Sequence, residues 1–395
     1  MTGRRLTLVA NPGHKRVVAF QAALARRGWP PAVVVPWLDL ASGRQPSDSG
    51  PVWKRIRGLT PPARPDFLRL ESPGQDFAVE QALLARGADE SDDDHPQADR
   101  ISATAAGQLP FEKGRILHPR QWYRGFRAVL RELEGQLSSQ VRCLNRPADV
   151  IDLFDKRRCQ SMLSAAGVPI PSPLGSPQSF EELLATMRAA GRQRVFVKLA
   201  CGSSGSGVVA FALGRDRMMA TTTVELVRRD GRVLMFNSRR LRRYELPADV
   251  TDLFDTLCAE GVQVEEWLPK ATFRGRGCDL RVLVIAGRDR HAVVRLSDTP
   301  ITNLHLLNER ADAADLRKEL PAEKWEVAMS DCRRAAAVFG GCHHVGIDLA
   351  FTPGFRRHAI LEANAFGDFL PGLLCDGLDT HEAELVALED EVTSR

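Results

Sequence analysis

Val345-Gly346-Ile347-Asp348-Leu349, then the basic turn Pro353-Gly354-Phe355-Arg356-Arg357, then Ile360-Leu361-Glu362-Ala363-Asn364, is the most informative stretch of the chain. Two apolar segments of strand character flank a turn of Pro and Gly, which reads as a hairpin. Side chains alternate along a strand, so Glu362 and Asn364 share a face, and the partner strand can bring Asp348 onto it. Two carboxylates and one amide oxygen, with no Cys or His among them, form a hard-oxygen set suited to Mg²⁺ or Mn²⁺. An ordinary hairpin with its polar residues in solvent is the competing reading. The upstream motifs decide against it.

The 395 residues exceed one ordinary core and imply two or three domains. Hydrophobic and charged contents of 44% and 26% are those of a globular protein. The net charge of +4 is carried mainly by arginine, which suits phosphate and carboxylate ligands as well as nucleic acid and so decides little. The eight cysteines show no CxxC or other metal spacing and are expected to be reduced, mostly buried thiols. Leu6-Thr7-Leu8-Val9 enters a strand with no signal-peptide core before it. No apolar run approaches ~18 residues, so no membrane span is expected and a cytoplasmic location is.

Residues 6–10 read as a buried strand, 16–27 as a helix closed by Gly28, and 32–35 as a second strand, an order that implies a parallel right-handed unit. A second strand, loop and helix follow at 67–70, 71–74 and 76–86. That loop, Glu71-Ser72-Pro73-Gly74, stands at a strand's carboxyl end and a helix N-terminus, where an anionic ligand is favoured. The acidic run near 88–99 reads as a solvated loop. Further helices are expected at 120–136, from near 153 to 167, and at 180–190. Residues 194–199 read as a strand.

Next comes Ala200-Cys201-Gly202-Ser203-Ser204-Gly205-Ser206-Gly207-Val208, then another strand. Glycines let backbone N–H groups approach a phosphate closely, and the serines add donors. The spacing is not that of a Walker P-loop, and no helix follows, so a strand-loop-strand flap describes it better. Lys198 stands at the end of the preceding strand. Val264-Glu265-Glu266-Trp267-Leu268 reads as a strand leading to a linker, able to present backbone groups to adenine while Trp267 and Leu268 wall its pocket. Residues 279–285 alternate, placing Asp279, Arg281 and Leu283 on one face. Residues 231–244 read as one arm of an inserted hairpin with solvated arginines. His343-His344, being neighbours on a strand, make a poor metal pair.

Taken in order, Asp155-Lys156, the flap, VEEW, DLRVLVI, Arg295, TNLH, VGIDL and LEAN resemble the ATP-grasp superfamily, in the branch like the ribosomal S6 glutamate ligases. The resemblance spans roughly residues 145–379. It implies an α/β chain in which a parallel pre-ATP-grasp domain (1–144) precedes a nucleotide lobe (145–266) and a C-terminal lobe with the Mg²⁺ site (267–395). It implies Lys156, Lys198 and residues 203–207 (Ser203, Ser204, Gly205, Ser206, Gly207) at the phosphates, Glu266 and Trp267 at adenine, and Asp279 at the ribose. Asp348, Glu362 and Asn364 match metal ligands, and Arg281, Arg295 and Asn303 match positions near the reacting phosphate. Two departures stand out: Ile301 occupies a position that is arginine in that branch, and Leu306-Leu307 replace a glycine pair. Both bear on the acceptor substrate more than on ATP. Ser72, Gly74 and His305 are the candidate substrate contacts.

The expected activity is an ATP- and Mg²⁺-dependent carboxylate–amine or carboxylate–thiol ligase working through an acyl phosphate. Its partners would be a small-molecule or peptide carboxylate and a nucleophile. A non-catalytic ATP-binding sensor, favoured by the missing arginine, and a small-molecule kinase are the rival readings. Neither a membrane nor a nucleic-acid partner is indicated, and a homo-oligomer is left open.

Overall fold

The computed structural model describes residues 5–43, 67–90, 100–202, 205–302, 309–366 and 370–393. Three sheets organise them. The first joins β1 (Leu6–Ala10), β2 (Val33–Pro36), β3 (Phe67–Leu70) and β4 (Arg142–Cys143) in the order β2-β1-β3-β4, all parallel. The helix Lys15–Arg26 links β1 to β2, as expected for a crossover unit. Asn11, just past β1, donates its amide to Pro73 O at 2.8 Å and Gly74 O at 3.1 Å, so the loops after β1 and β3 are locked together. Asp76 caps the following helix, Phe77–Arg86, by accepting from the N–H groups of Ala78 and Val79.

That helix crosses the long helix Pro119–Gln136 at a point where only glycine fits. A Cβ on Gly125 would lie 1.9 Å from Leu83 O, and one on Gly87 would lie 2.0 Å from Gln121 O. The expected single helix from 153 to 167 is instead two, Pro147–Phe154 and Lys156–Ala165. Asp155 separates them because its carboxylate accepts from the N–H groups of Arg157 and Arg158 and caps the second.

The middle sheet has the order β5-β10-β6-β7-β8-β9, with β5 (Pro173–Gly175), β6 (Arg194–Leu199), β7 (Val208–Leu213), β8 (Met218–Arg229), β9 (Arg232–Tyr244) and β10 (Val262–Glu266). On β6 the buried Val195, Val197 and Leu199 alternate with Phe196 and Lys198, which face the other way. Phe180, Phe211 and Phe254 fill the space between this sheet and the helices Phe180–Ala189 and Pro247–Ala259. As expected, residues 232–244 are one arm of a hairpin, paired antiparallel with β8 around the turn at Asp230 and Gly231. They form the last strand of the sheet, and residues 114–116 add onto them, with Ile116 N–H donating to Met235 O at 2.9 Å.

The third sheet is antiparallel, in the order β14-β13-β12-β15-β16, with β11 (Thr272–Phe273) on β12. Its strands are β12 (Arg276–Ile285), β13 (Arg288–Ser297), β14 (Glu309–Asp312), β15 (His344–Phe351) and β16 (His358–Asn364). The β15–β16 hairpin turns through Pro353–Phe355 with Gly354 at φ 69°, as the sequence predicts. Trp325, Met329 and Cys332 of the helix Ala322–Ala337 are buried in the core formed with β12, β13 and β15.

The last helix, Thr380–Thr393, returns to the first sheet, where Leu385 and Leu388 join Leu6, Phe20 and Leu24. Acids on and beside it meet bases of the first unit: Arg26 with Asp379 and Glu382, Arg27 with Glu389, Arg69 with Glu384, and Arg142 with Glu391. No described helix is long and apolar enough to cross a membrane.

Two predictions follow from this packing. Gly125→Ala should lower stability by about 1–3 kcal/mol, read as a shift of the urea midpoint, because the methyl meets backbone that cannot move aside. His381 is 2% exposed against the edge of Phe20, and burial, with help from Arg69, lowers its pKa from 6.5 to about 3. The unfolded chain binds that proton near 6.5 and the folded chain does not, so stability should fall as pH drops from about 6.5 towards 3. In His381→Gln part of that slope should vanish; an unchanged slope would assign it elsewhere.

Candidate active site

The three sheets enclose a cleft of about 860 Å³. Its floor is the face of the third sheet, and register decides what stands there. Arg281 on β12 lies opposite Asp348 on β15, which lies opposite Glu362 on β16. One step along, Asp279 lies opposite Arg295 on β13, which lies opposite Arg310 on β14. Cross-strand neighbours share a face, so the floor carries two adjoining charged rows, Arg281-Asp348-Glu362 and Asp279-Arg295-Arg310.

These charges bind one another closely. Arg295 Nε donates to Asp279 at 2.6 Å, and its Nη2 stands 3.2 Å from Asp348. Arg281 engages both oxygens of Asp348, the second at 3.1 Å. Lys270 Nζ reaches Asp279 at 2.7 Å, and the Thr302 hydroxyl donates to the same carboxylate. Burial would push the Asp279 carboxyl up, but Arg295 and Lys270 outweigh it and hold the pKa at about 2. Asp279, the residue expected at the ribose, lines the cleft, is 1% exposed, and has both oxygens engaged by Arg295 and Lys270.

The middle sheet and the N-terminus of the helix Lys156–Ala165 supply the opposite side, the roof. Lys156 Nζ lies 3.1 Å from Glu362 Oε1 and 2.5 Å from Gly202 O. Lys198 Nζ lies 2.6 Å from Glu265 Oε1 and 3.3 Å from Leu361 O. Burial raises the Glu362 pKa, yet Lys156 and Lys198 together hold it at about 2, so the carboxylate stays ionised. Gly205 and Ser206 of the flap line the cleft, and Thr223 Oγ1 donates to Gly205 O at 2.9 Å. Gly207 does not line it. Its φ of 67° and its packing on Leu199, 2.4 Å from where a Cβ would be, explain the glycine. Ser203, Ser204, Asn303 and His305 lie outside the described residues.

Around the adenine end, Glu266 lines the cleft and pairs with Arg192 at 3.1 Å. Trp267 does not line it, contrary to expectation. The chain leaves β10 at Glu266, and the indole packs on Phe196, with ring centroids 5.3 Å apart, while Arg194 lies over it. Leu268 lines the cleft as expected, with Phe196 and Pro171 beside it in the lining. Ser72 and Gly74 line the far end with His14, Lys15 and Arg16. Glu71 of the same loop is buried under Arg16 and Arg69, which favour its ionised form, and its carboxylate serves the structure.

Sequence reasoning passed over Arg16, Glu265, Lys270 and Arg310, all of which line the cleft. Glu265 carried a local signal, since alternation puts it on one face with Gln263, whose amide donates to it at 3.0 Å. The other three owe their place to tertiary pairing and had none.

Asp348, Glu362 and Asn364 all line the cleft, with the two carboxylates in register. Among the described residues no group of three or more His, Cys, Asp or Glu is arranged to hold a metal. Two carboxylates and an amide are few ligands, all oxygen, and that fits Mg²⁺, which keeps water and phosphate oxygens in its shell. Arg281 and Lys156 now neutralise these carboxylates, so a metal would compete with them for the same oxygens.

No protein-family model matches the chain, and no curated protein matches it in sequence. Solved structures do. The ATP-grasp ligase PsnB, complexed with a minimal precursor, is 17% identical at a TM-score of 0.53, covering 98% of this chain and 99% of its own. The D-cycloserine synthetase DcsG is 14% identical at 0.55, covering 97% and 99%. The macrocyclase MdnC from Microcystis aeruginosa MRC, bound with precursor peptide MdnA, is 13% identical at 0.51, covering 98% and 100%. The likeness covers nearly the whole chain, and this protein has the fold of the ATP-grasp ligase PsnB and of the other two structures.

Proposed function

We propose that the protein is an ATP- and Mg²⁺-dependent ligase that joins a carboxylate to an amine or thiol. The observation that carries this is the meeting, in one cleft, of Lys156 and Lys198 from the roof with Asp348, Glu362 and Asn364 from the floor. The similar solved structures, an ATP-grasp ligase, a synthetase and a macrocyclase, support a bond-forming activity.

In the proposed reaction a substrate carboxylate oxygen attacks the γ-phosphorus of ATP, ADP leaves, and an acyl phosphate forms. The nucleophile then attacks the acyl carbon, loses its proton, and inorganic phosphate departs. Lys156, Lys198 and the flap would hold the triphosphate. Asp348, Glu362 and Asn364 would hold Mg²⁺, which supplies charge neutralisation for the phosphate oxygens. Arg281 and Arg295 would face the transferred phosphoryl group, already oriented by Asp348 and Asp279, so little reorganisation is needed as charge develops. The carboxylate substrate would enter at Ser72 and Gly74, beside Arg16. Because two of the similar structures hold precursor peptides and a third is a D-cycloserine synthetase, the acid could be a peptide side chain or a small molecule.

The test is ADP release during a screen of paired acids and nucleophiles. Glu362→Ala should lower the turnover found there by about 100-fold or more while the fold survives. A variant of wild-type activity would remove the metal assignment, and a stable phosphorylated acid as sole product would make the protein a kinase. Gly74→Glu tests the substrate loop. Its Cβ meets nothing closer than Ser72 Oγ at 3.5 Å, so it should fold and bind ATP, yet turn over poorly because its carboxylate repels the acid. Unchanged turnover would move the acid site elsewhere.

A further inference from the structure

The lysines and arginines beside the metal carboxylates are each held by an acid: Lys156 by Glu362, Lys198 by Glu265, Lys270 and Arg295 by Asp279, and Arg281 by Asp348. Arg310 is the exception on this floor. Its contact is Nη1 to the Pro371 carbonyl at 3.5 Å, the limit of a hydrogen bond, and among the described residues no carboxylate stands within ion-pair reach of it. Its sequence neighbour Glu309 pairs with Arg276 instead.

Arg310 nevertheless lines the cleft and lies directly opposite Arg295. Like charges on facing strand positions repel, and Arg310, exposed on the edge strand, leaves its guanidinium in solvent at the cleft, where an anion can reach it. Arg295 is committed to Asp279 and abuts Asp348, so the row that begins at Arg310 leads to the metal carboxylates. Residue 301, where the resembled branch carries arginine, is here Ile301, 5% exposed, and brings no cation to the site. Lys15, which also lines the cleft with no acid partner among the described residues, belongs to the first unit, beside the loop of Ser72 and Gly74 rather than on this floor.

We infer that Arg310 is a phosphate-binding residue, whose guanidinium takes the transferred phosphoryl group and the inorganic phosphate that leaves. The inference rests on the proposed ligase reading and adds to Arg281 and Arg295, which are held by acids, a guanidinium with no acid partner among the described residues. A planar guanidinium can bind two phosphate oxygens at once, which an ammonium does less well.

The experiment is calorimetric titration of inorganic phosphate into protein saturated with Mg·ADP, for the wild type, Arg310→Ala and Arg310→Lys. Arg310→Ala should weaken phosphate binding about 10- to 100-fold, with Arg310→Lys between. Mg·ADP affinity should stay within about twofold of the wild type in both, which also shows that the variants fold. Phosphate affinity unchanged in Arg310→Ala, or Mg·ADP affinity lost in parallel with it, would overturn the assignment. Failure of the wild type to bind Mg·ADP would instead remove the ligase reading, and this residue's role with it.

Discussion

The interaction on which the site depends is the pairing of Asp279 with Arg295 and of Asp348 with Arg281, side by side across three strands of one sheet. Burying charge is expensive, and an apolar floor of the same volume would often be as stable or more so. The floor is therefore better explained by positioning than by stability. Each acid fixes the direction of a base, and Arg295 with Lys270 keeps Asp279 ionised in a place where burial alone would push its carboxyl up. A reaction that moves a phosphoryl group needs those charges in place before charge develops.

The rest of the fold serves to bring a second set of charges down onto that floor. Lys198 faces the cleft because β6 alternates, with Val195, Val197 and Leu199 turned into the lobe's own core. Lys156 does so because Asp155 ends one helix and starts another at that point. The first unit closes the far side, and it is held on by the last helix of the chain through Leu385, Leu388 and the acids that meet Arg26, Arg27, Arg69 and Arg142. Arg16 extends the connection into the site, since it binds Glu71 and the carbonyl of Phe366, two residues beyond Asn364.

The features legible in the sequence were those set by local rules. The β15–β16 hairpin shows itself through turn residues and alternation, and its register then places Asp348 against Glu362. The β1-helix-β2 unit and the flap between β6 and β7 are readable for the same reason. What escaped was set by contacts between distant segments. Lys270 meets Asp279 across a loop, Arg310 meets Arg295 only through strand pairing, and the docking of the last helix has no sequence signature beyond its acids. Trp267 was expected at the pocket wall because it is an aromatic just after a strand, whereas its ring packs on Phe196. Asp279 lines the cleft, but a sequence cannot show that its carboxylate is engaged by Arg295 and Lys270.

The account stands or falls on whether this cleft binds ATP through the metal carboxylates. Calorimetric titration with ATP plus Mg²⁺, for the wild type and for the Asp348→Asn/Glu362→Gln double variant, measures that directly. The account predicts micromolar binding by the wild type, lost in a double variant that remains folded. No binding by the folded wild type, or equal binding by both proteins, would contradict it.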